Sequence, residues 1–261
     1  MWVIKSAIAP LYRDANARSE RVDEALHGMT VMVLDKIGDW RRVRTEYHYE
    51  GWVHRKRLAK TAPMPEMPRY MIIAPAADIL AAPKVQSTTV TCLTLGCRVH
   101  GDNITENAEW TRVTLADGRT GYIRTEFLAP CPEVRLEVTE SASLRASICD
   151  TAKRYMGTQY RWGGKTAQGI DCSGLCFMAY WLNGITIYRD AQINPDFAIK
   201  KIPPSTAKEG DLLFFPGHVG ILLKDGTMLH SSQKGNGVKA EALTPEWKSN
   251  IIAAGSVFAT A

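Results

Sequence analysis

No run of apolar residues in this chain approaches the ~18 needed to cross a bilayer as a helix, which excludes a helical membrane span. No basic, apolar leader precedes the first patterned stretch. Met1-Trp2-Val3-Ile4-Lys5 already reads as a strand, so the expected location is cytoplasmic as the chain stands. A chain trimmed of a leader would instead be periplasmic or extracellular. Charge of one sign is also scarce: 32 Lys and Arg against 27 Asp and Glu leave a net +5, too mild for nucleic acid to be an expected partner. The six cysteines (Cys92, Cys97, Cys131, Cys149, Cys172 and Cys176) form no CxxC pair facing another such pair or a histidine pair. Neither a metal nor any other cofactor is therefore expected. Cys172 and Cys176, four apart on one helix, are badly placed for a disulfide, and reduced thiols favour a reducing compartment.

What is present is ordinary globular material, 45% hydrophobic and 23% charged over 261 residues, enough for two or three small domains. The first half repeats itself. Trp40-Arg41-Arg42-Val43 returns as Trp110-Thr111-Arg112-Val113, Gly51-Trp52-Val53 as Gly121-Tyr122-Ile123, and Leu58-Ala59 as Leu128-Ala129. Short alternating runs broken by Gly and Asp predict small β-barrels, and this pattern resembles a pair of bacterial SH3-like domains. The proline-rich stretch Thr61–Pro68 separates them, giving expected domains at 1–62, 69–131 and 140–261. The first repeat carries twelve Lys and Arg against eight Asp and Glu, densest around Arg41–Arg44 and His54–Arg57. A solvated barrel face accounts for that surplus.

The third segment opens with a predicted amphipathic helix over 143–156, with Leu144, Ile148, Ala152 and Tyr155 on one face. After Tyr160-Arg161-Trp162-Gly163-Gly164 comes Gly169-Ile170-Asp171-Cys172-Ser173-Gly174-Leu175, which places Cys172 at the start of a second helix. Free N–H groups and the macrodipole there are expected to stabilise a thiolate. Tyr188 to Pro204 reads as an irregular cover. Strands follow at Leu212–Phe215, His218–Leu223 and Thr227–Ser232, then at 237–243 and 251–258. Helices followed by antiparallel strands make an α+β domain. A helix-borne cysteine with two histidines on neighbouring strands is the nucleophile, base and orienter set that activated thiols use.

These ordered blocks (YRWGG, GIDCSGL, GDLLFF, HVGILL and MLHSS) resemble the NlpC/p60 cysteine peptidases, papain-like enzymes that cut peptidoglycan stem peptides. The resemblance implies that Cys172 is the nucleophile, His218 the base and His230 the group that orients it, with Tyr160 beside the oxyanion. It further implies a γ-D-glutamyl-L-diamino acid endopeptidase acting on L-Ala-γ-D-Glu-diamino acid peptides with a free N-terminal L-Ala. The basic surplus of the first repeat would then attract anionic wall fragments. The substrate-binding residues implied are Asp171, Ser173 and Asp190, with Tyr49 and Asp14 from the first SH3-like domain. Asp171 reads equally as a helix N-cap. Gln192 and Asn194 straddle the position where the family carries a glutamine, and the second SH3-like domain is left without an assigned task. The alternatives are a wall-polymer or peptide binding module with a degenerate third domain, and a general wall hydrolase, amidase or acyltransferase of the same superfamily.

Overall fold

The computed structural model describes residues 2–60, 67–104, 108–135 and 137–258. Most of the predicted linker Thr61–Pro68 lies outside the described residues. The chain divides into two compact units, 1–131 and 132–261. Among the described residues no helix is long and apolar enough to cross a membrane.

The first unit holds two seven-stranded sheets with the same strand order. In the first, Trp40–Thr45 lies between Glu50–His54 and Thr30–Ile37; in the second, Trp110–Thr114 lies between Thr120–Arg124 and Arg98–Gly101. Val43 and Val53 are fully buried in the first core, as are Val113 and Ile123 at the repeated positions of the second. The alternation that made these segments legible as strands is therefore the alternation of core and surface.

The two SH3-like modules are joined by specific contacts. His27 is fully buried; its Nδ1–H donates to the Lys5 carbonyl at 2.9 Å, and its Nε2 accepts the Ala116 N–H at 3.0 Å. Arg98 donates its backbone N–H to the His27 carbonyl at 2.8 Å and its guanidinium to Glu46. Gly28, at φ +79°, lies so close to the Arg98 carbonyl that a Cβ there would sit 2.3 Å from its oxygen. The second module is thus a structural partner of the first.

In the second unit, helix α1 (Ala142–Lys153) packs on helix α2 (Cys172–Trp181), and α2 packs on a six-stranded antiparallel sheet. The strands are β1 (Lys200–Ile202), β2 (Leu212–Phe215), β3 (His218–Leu222), β4 (Thr227–Ser232), β5 (Gly237–Ala242) and β6 (Ala253–Ser256), in the order β1-β6-β2-β3-β4-β5. Because α2 is enclosed between α1 and the sheet, all ten of its residues are buried. Arg145 anchors α1 to the mouth of β2: its guanidinium donates to Asp211 at 2.9 Å and to the Glu209 carbonyl at 2.6 Å. Asp211, just ahead of Leu212, is the carboxylate of that anchor.

Two elements differ from the sequence expectation. Lys200–Ile202, expected as irregular cover, is an edge strand paired with β6; its lysines, which hide it from a hydrophobic pattern, are what an unprotected edge carries. A short helix α3 (Pro245–Ser249) also intervenes before β6, capped by Thr244 with Pro245 in its first turn.

Candidate active site

Cys172 is the first residue of α2, and the residue before it fixes that position. Asp171 is the N-cap: its extended backbone turns the chain into the helix, and Oδ1 accepts the Gly174 N–H at 2.6 Å. Gly174 permits this close seating, since a Cβ there would stand 2.3 Å from the Gly164 carbonyl oxygen. The Cys172 N–H, in the first turn, has no carbonyl four residues back to bond and faces outward from the helix end.

His218 begins β3 directly after the Pro216-Gly217 turn, and His230 stands on the adjacent strand β4. The structure brings them together, with His218 Nε2 2.7 Å from His230 Nδ1. His230 Nε2 lies 2.8 Å from Glu241 Oε2 on β5, and Glu241 Oε1 lies 2.5 Å from Lys239 Nζ. An ionised carboxylate only accepts, so His230 carries its proton on Nε2 and accepts on Nδ1. His218 then carries its proton on Nε2, which leaves His218 Nδ1 unprotonated and free to take a proton. The side chain of Trp247 on α3 lies edge-on to His230, with ring centroids 5.5 Å apart, and tilts over His218 at 5.9 Å.

The Cys172 thiol interacts with the Val219 backbone, next to His218, and this contact favours its charged form. Burial works harder in the other direction. It pushes the Cys172 thiol up to about 11, with the Asp171 charge adding to the rise. Burial and the neighbouring His230 hold His218 down to about 4. Burial thus works against the thiolate expected at this helix end, and it pushes both the Cys172 thiol and the His218 imidazole toward their neutral forms. Glu241 is held below the usual carboxylate range by Lys239 and His230, so it is the charged end of the chain of groups.

Asp171 also departs from expectation. Its carboxylate already holds the Arg189 guanidinium at 3.0 Å on each oxygen, the Gly163 N–H at 2.8 Å, the Gly174 N–H and, at 3.3 Å, the Ser173 hydroxyl. Five donors saturate it, which is the N-cap reading of Asp171 with its carboxylate committed inside the fold. Arg189, 2% exposed, also reaches Ser173 Oγ at 2.9 Å and the Gly164 carbonyl at 3.2 Å. It ties together the three segments that frame Cys172.

Tyr160 bridges to Ile170, two residues before Cys172, and its phenol is pushed far above the usual range by burial and by nearby Cys172 and Asp171. It stays protonated, a donor beside the thiol. Ser173 and Asp190 line a small hollow with Tyr188, Gln192, Asn194 and Phe197, and Tyr188 hydrogen-bonds to Asp190. On the other side, a cleft of about 670 Å³ runs past His218 and His230 between Tyr160, Trp162 and Trp247. Tyr49 and Asp14 belong to the first unit. Tyr49 is half-buried in a turn whose backbone bonds Thr45, and Asp14 is exposed, accepting from Ser19 Oγ at 2.7 Å.

Glu241, Arg189 and Trp247 were not among the residues singled out from the sequence. Glu241 sits in an alternating strand where a carboxylate reads as surface. Arg189 lies in the stretch that reads as irregular cover, and its partner Asp171 is 18 residues away in the sequence.

The family model described as NlpC/P60 matches residues 157–256, and that of a bacterial dipeptidyl-peptidase SH3 domain matches residues 11–58. Dipeptidyl-peptidase 6 of Lysinibacillus sphaericus is 38% identical, over 98% of this chain and 99% of its own length. The γ-D-glutamyl-L-lysine dipeptidyl-peptidase of Bacillus subtilis (strain 168) is 28% identical, over 85% of this chain and 75% of its own. The crystal structure of an NlpC/P60 family protein from Bacillus cereus superposes with a TM-score of 0.82 at 22% identity, covering 97% of this chain and 98% of that one.

Proposed function

Because this chain belongs to the NlpC/P60 family of cysteine peptidases, we propose that it hydrolyses the γ-D-glutamyl–diamino acid bond of peptidoglycan stem peptides, taking those with a free N-terminal L-Ala. The observation that carries the reading is the run of hydrogen bonds from His218 through His230 to Glu241, which leaves one basic nitrogen for the thiol that opens α2. A wall-binding role alone has no use for that tautomer chain. The Bacillus subtilis relative, a γ-D-glutamyl-L-lysine dipeptidyl-peptidase, supports the substrate class.

The chemistry follows from the geometry. His218 Nδ1 takes the Cys172 proton as sulfur attacks the γ-carbonyl carbon of the D-glutamyl residue. Charge that develops on the carbonyl oxygen is met by the Cys172 N–H and the Tyr160 hydroxyl. His218 passes the proton to the leaving α-amine, the C–N bond breaks, and a γ-D-glutamyl thioester remains on Cys172. Water then attacks the thioester with His218 again as base, releasing L-Ala-D-Glu and the free thiol. With Asp171 saturated, Asp190 is the acid assigned to the free ammonium of L-Ala. A preference for the free amine suits turnover of peptides already released from the wall.

The test is incubation of L-Ala-γ-D-Glu-L-Lys and its N-acetylated form with the protein, followed by mass spectrometry. Release of lysine from the free peptide, and its absence with Cys172→Ala, is the expected result. Cleavage elsewhere in the peptide, or none, overturns the reading. Equal rates on both peptides would return the protein to the general wall hydrolases.

A further inference from the structure

The cleft beyond His218 holds a pair of unmatched charges, and from them we infer that Lys234 and Glu246 recognise the departing diamino acid, Lys234 its carboxylate and Glu246 its side-chain ammonium. This rests on the proposed peptidase reading and assigns the leaving-group side of the same site.

His218 must hand its proton to the leaving amine, so the departing residue lies on the His218 side of Cys172. That side is the larger cleft. The charged groups lining it, beyond the histidines, are Lys234, Lys239, Glu241 and Glu246. Two of these are already committed, since Lys239 pairs with Glu241 and Glu241 accepts from His230. Among the described residues Lys234 and Glu246 carry no ion pair, and both are exposed. They belong to different segments: Lys234 to the turn between β4 and β5, and Glu246 to the first turn of α3. One positive and one negative group, unpaired in one cleft, are complementary to a ligand that carries both charges itself. Between them the walls are aromatic: Trp162, 58% exposed, and Trp247, half-buried against Phe215. Such walls suit the methylene chain of an amino acid with its ammonium at the far end. The small hollow on the opposite side of Cys172 has Asp190 as its only charged lining residue and lacks that duality.

The experiment crosses three peptides with three proteins. The peptides are L-Ala-γ-D-Glu-L-Lys, its Nε-acetyl-lysine form and its C-terminal lysinamide form. The proteins are the wild-type chain, Lys234→Gln and Glu246→Gln, each checked for an unchanged melting temperature. Wild type prefers the unmodified peptide over either modified one by about two- to fivefold in kcat/KM, carried in KM, as for exposed charge pairs. Glu246→Gln removes the preference against acetylation and leaves that against the amide; Lys234→Gln does the reverse. Both preferences shrink as ionic strength rises toward 1 M. Equal wild-type rates on all three peptides, or preferences that survive both substitutions, overturn this assignment while the peptidase reading stands. No cleavage of any of the three overturns both.

Discussion

His230 accepts the Nε2 proton of His218 across 2.7 Å, and it does so because its own Nε2–H is committed to Glu241 at 2.8 Å. Glu241 therefore acts on the thiol through two imidazoles. Its removal leaves both rings in place and releases the constraint on where their protons sit.

Glu241→Gln is expected to lower kcat/KM by about tenfold, a loss of roughly 1.4 kcal/mol of transition-state stabilisation. The sign on pH follows from the charge. His218 is neutral, and able to act as base, above about 4, so wild-type activity falls as pH drops through that value. The Glu241 charge favours the imidazolium, so the variant's acid limb moves lower still while its plateau falls. A profile of kcat/KM from pH 3 to 9 on both proteins checks this, and a wild-type limb near 6.5 contradicts the lowered value of His218.

Cys172→Ala and His218→Ala should each cost at least about a thousandfold in kcat, because nucleophile and base act as a unit. For His230→Ala the expected loss is smaller, about a hundredfold, since the base survives without its orienter. Cys176, fully buried one turn along α2, should give a variant to alanine with kcat unchanged and a modest drop in stability. Steady-state rates and thermal melts on the four variants separate these outcomes.

Alkylation of Cys172 by iodoacetamide should accelerate with pH through neutrality toward the thiol's raised value of about 11. A reaction already at its plateau at pH 5 would mean a resting thiolate, and the account of burial outweighing the helix end would be wrong.

Arg189→Ala strands the Asp171 carboxylate in a buried position without its cation. The cost expected is about 3–5 kcal/mol, the range for breaking a buried pair by removing one partner. Urea unfolding at pH 7 measures it, and a change below about 1 kcal/mol would show that water or the backbone donors suffice.

His27 gives the first unit a pH dependence of its own. Burial lowers its folded value below 6.5, so the unfolded chain binds the proton more readily. Stability attributable to His27 is complete above pH 6.5 and is lost as pH falls toward the lowered value. Comparing melting temperatures at pH 7.5 and 5.0, wild type should show a drop that His27→Gln reduces, and an equal drop in both would remove His27 from the account.

How much of this was legible depended on whether a residue's partner lay nearby in the sequence. Asp171 and Cys172 announced themselves because an N-cap, a glycine and a helix start are local signals. Trp40 and Trp110 exposed the repeat because each marks the same place in a short alternating strand. Glu241 and Trp247 had no such signal: one matters only because β5 runs beside β4, the other only because α3 folds over the sheet. The burial of Ser173 and Trp181 on α2 is equally silent in the sequence, because it is imposed by a helix and a sheet that arrive from elsewhere in the chain.

The close contact of Gly28 with the Arg98 carbonyl has a consequence for how this chain can be taken apart or rebuilt. Two copies of one module ordinarily invite exchange, each portable as a cassette. Here the seam between them admits no side chain at position 28, and it shares a buried imidazole and an arginine whose partners sit on both sides. A chimera that borrows only the first module would expose that seam, whereas one that borrows residues 1–131 carries it whole. The unit of inheritance in the first half of this protein is the pair.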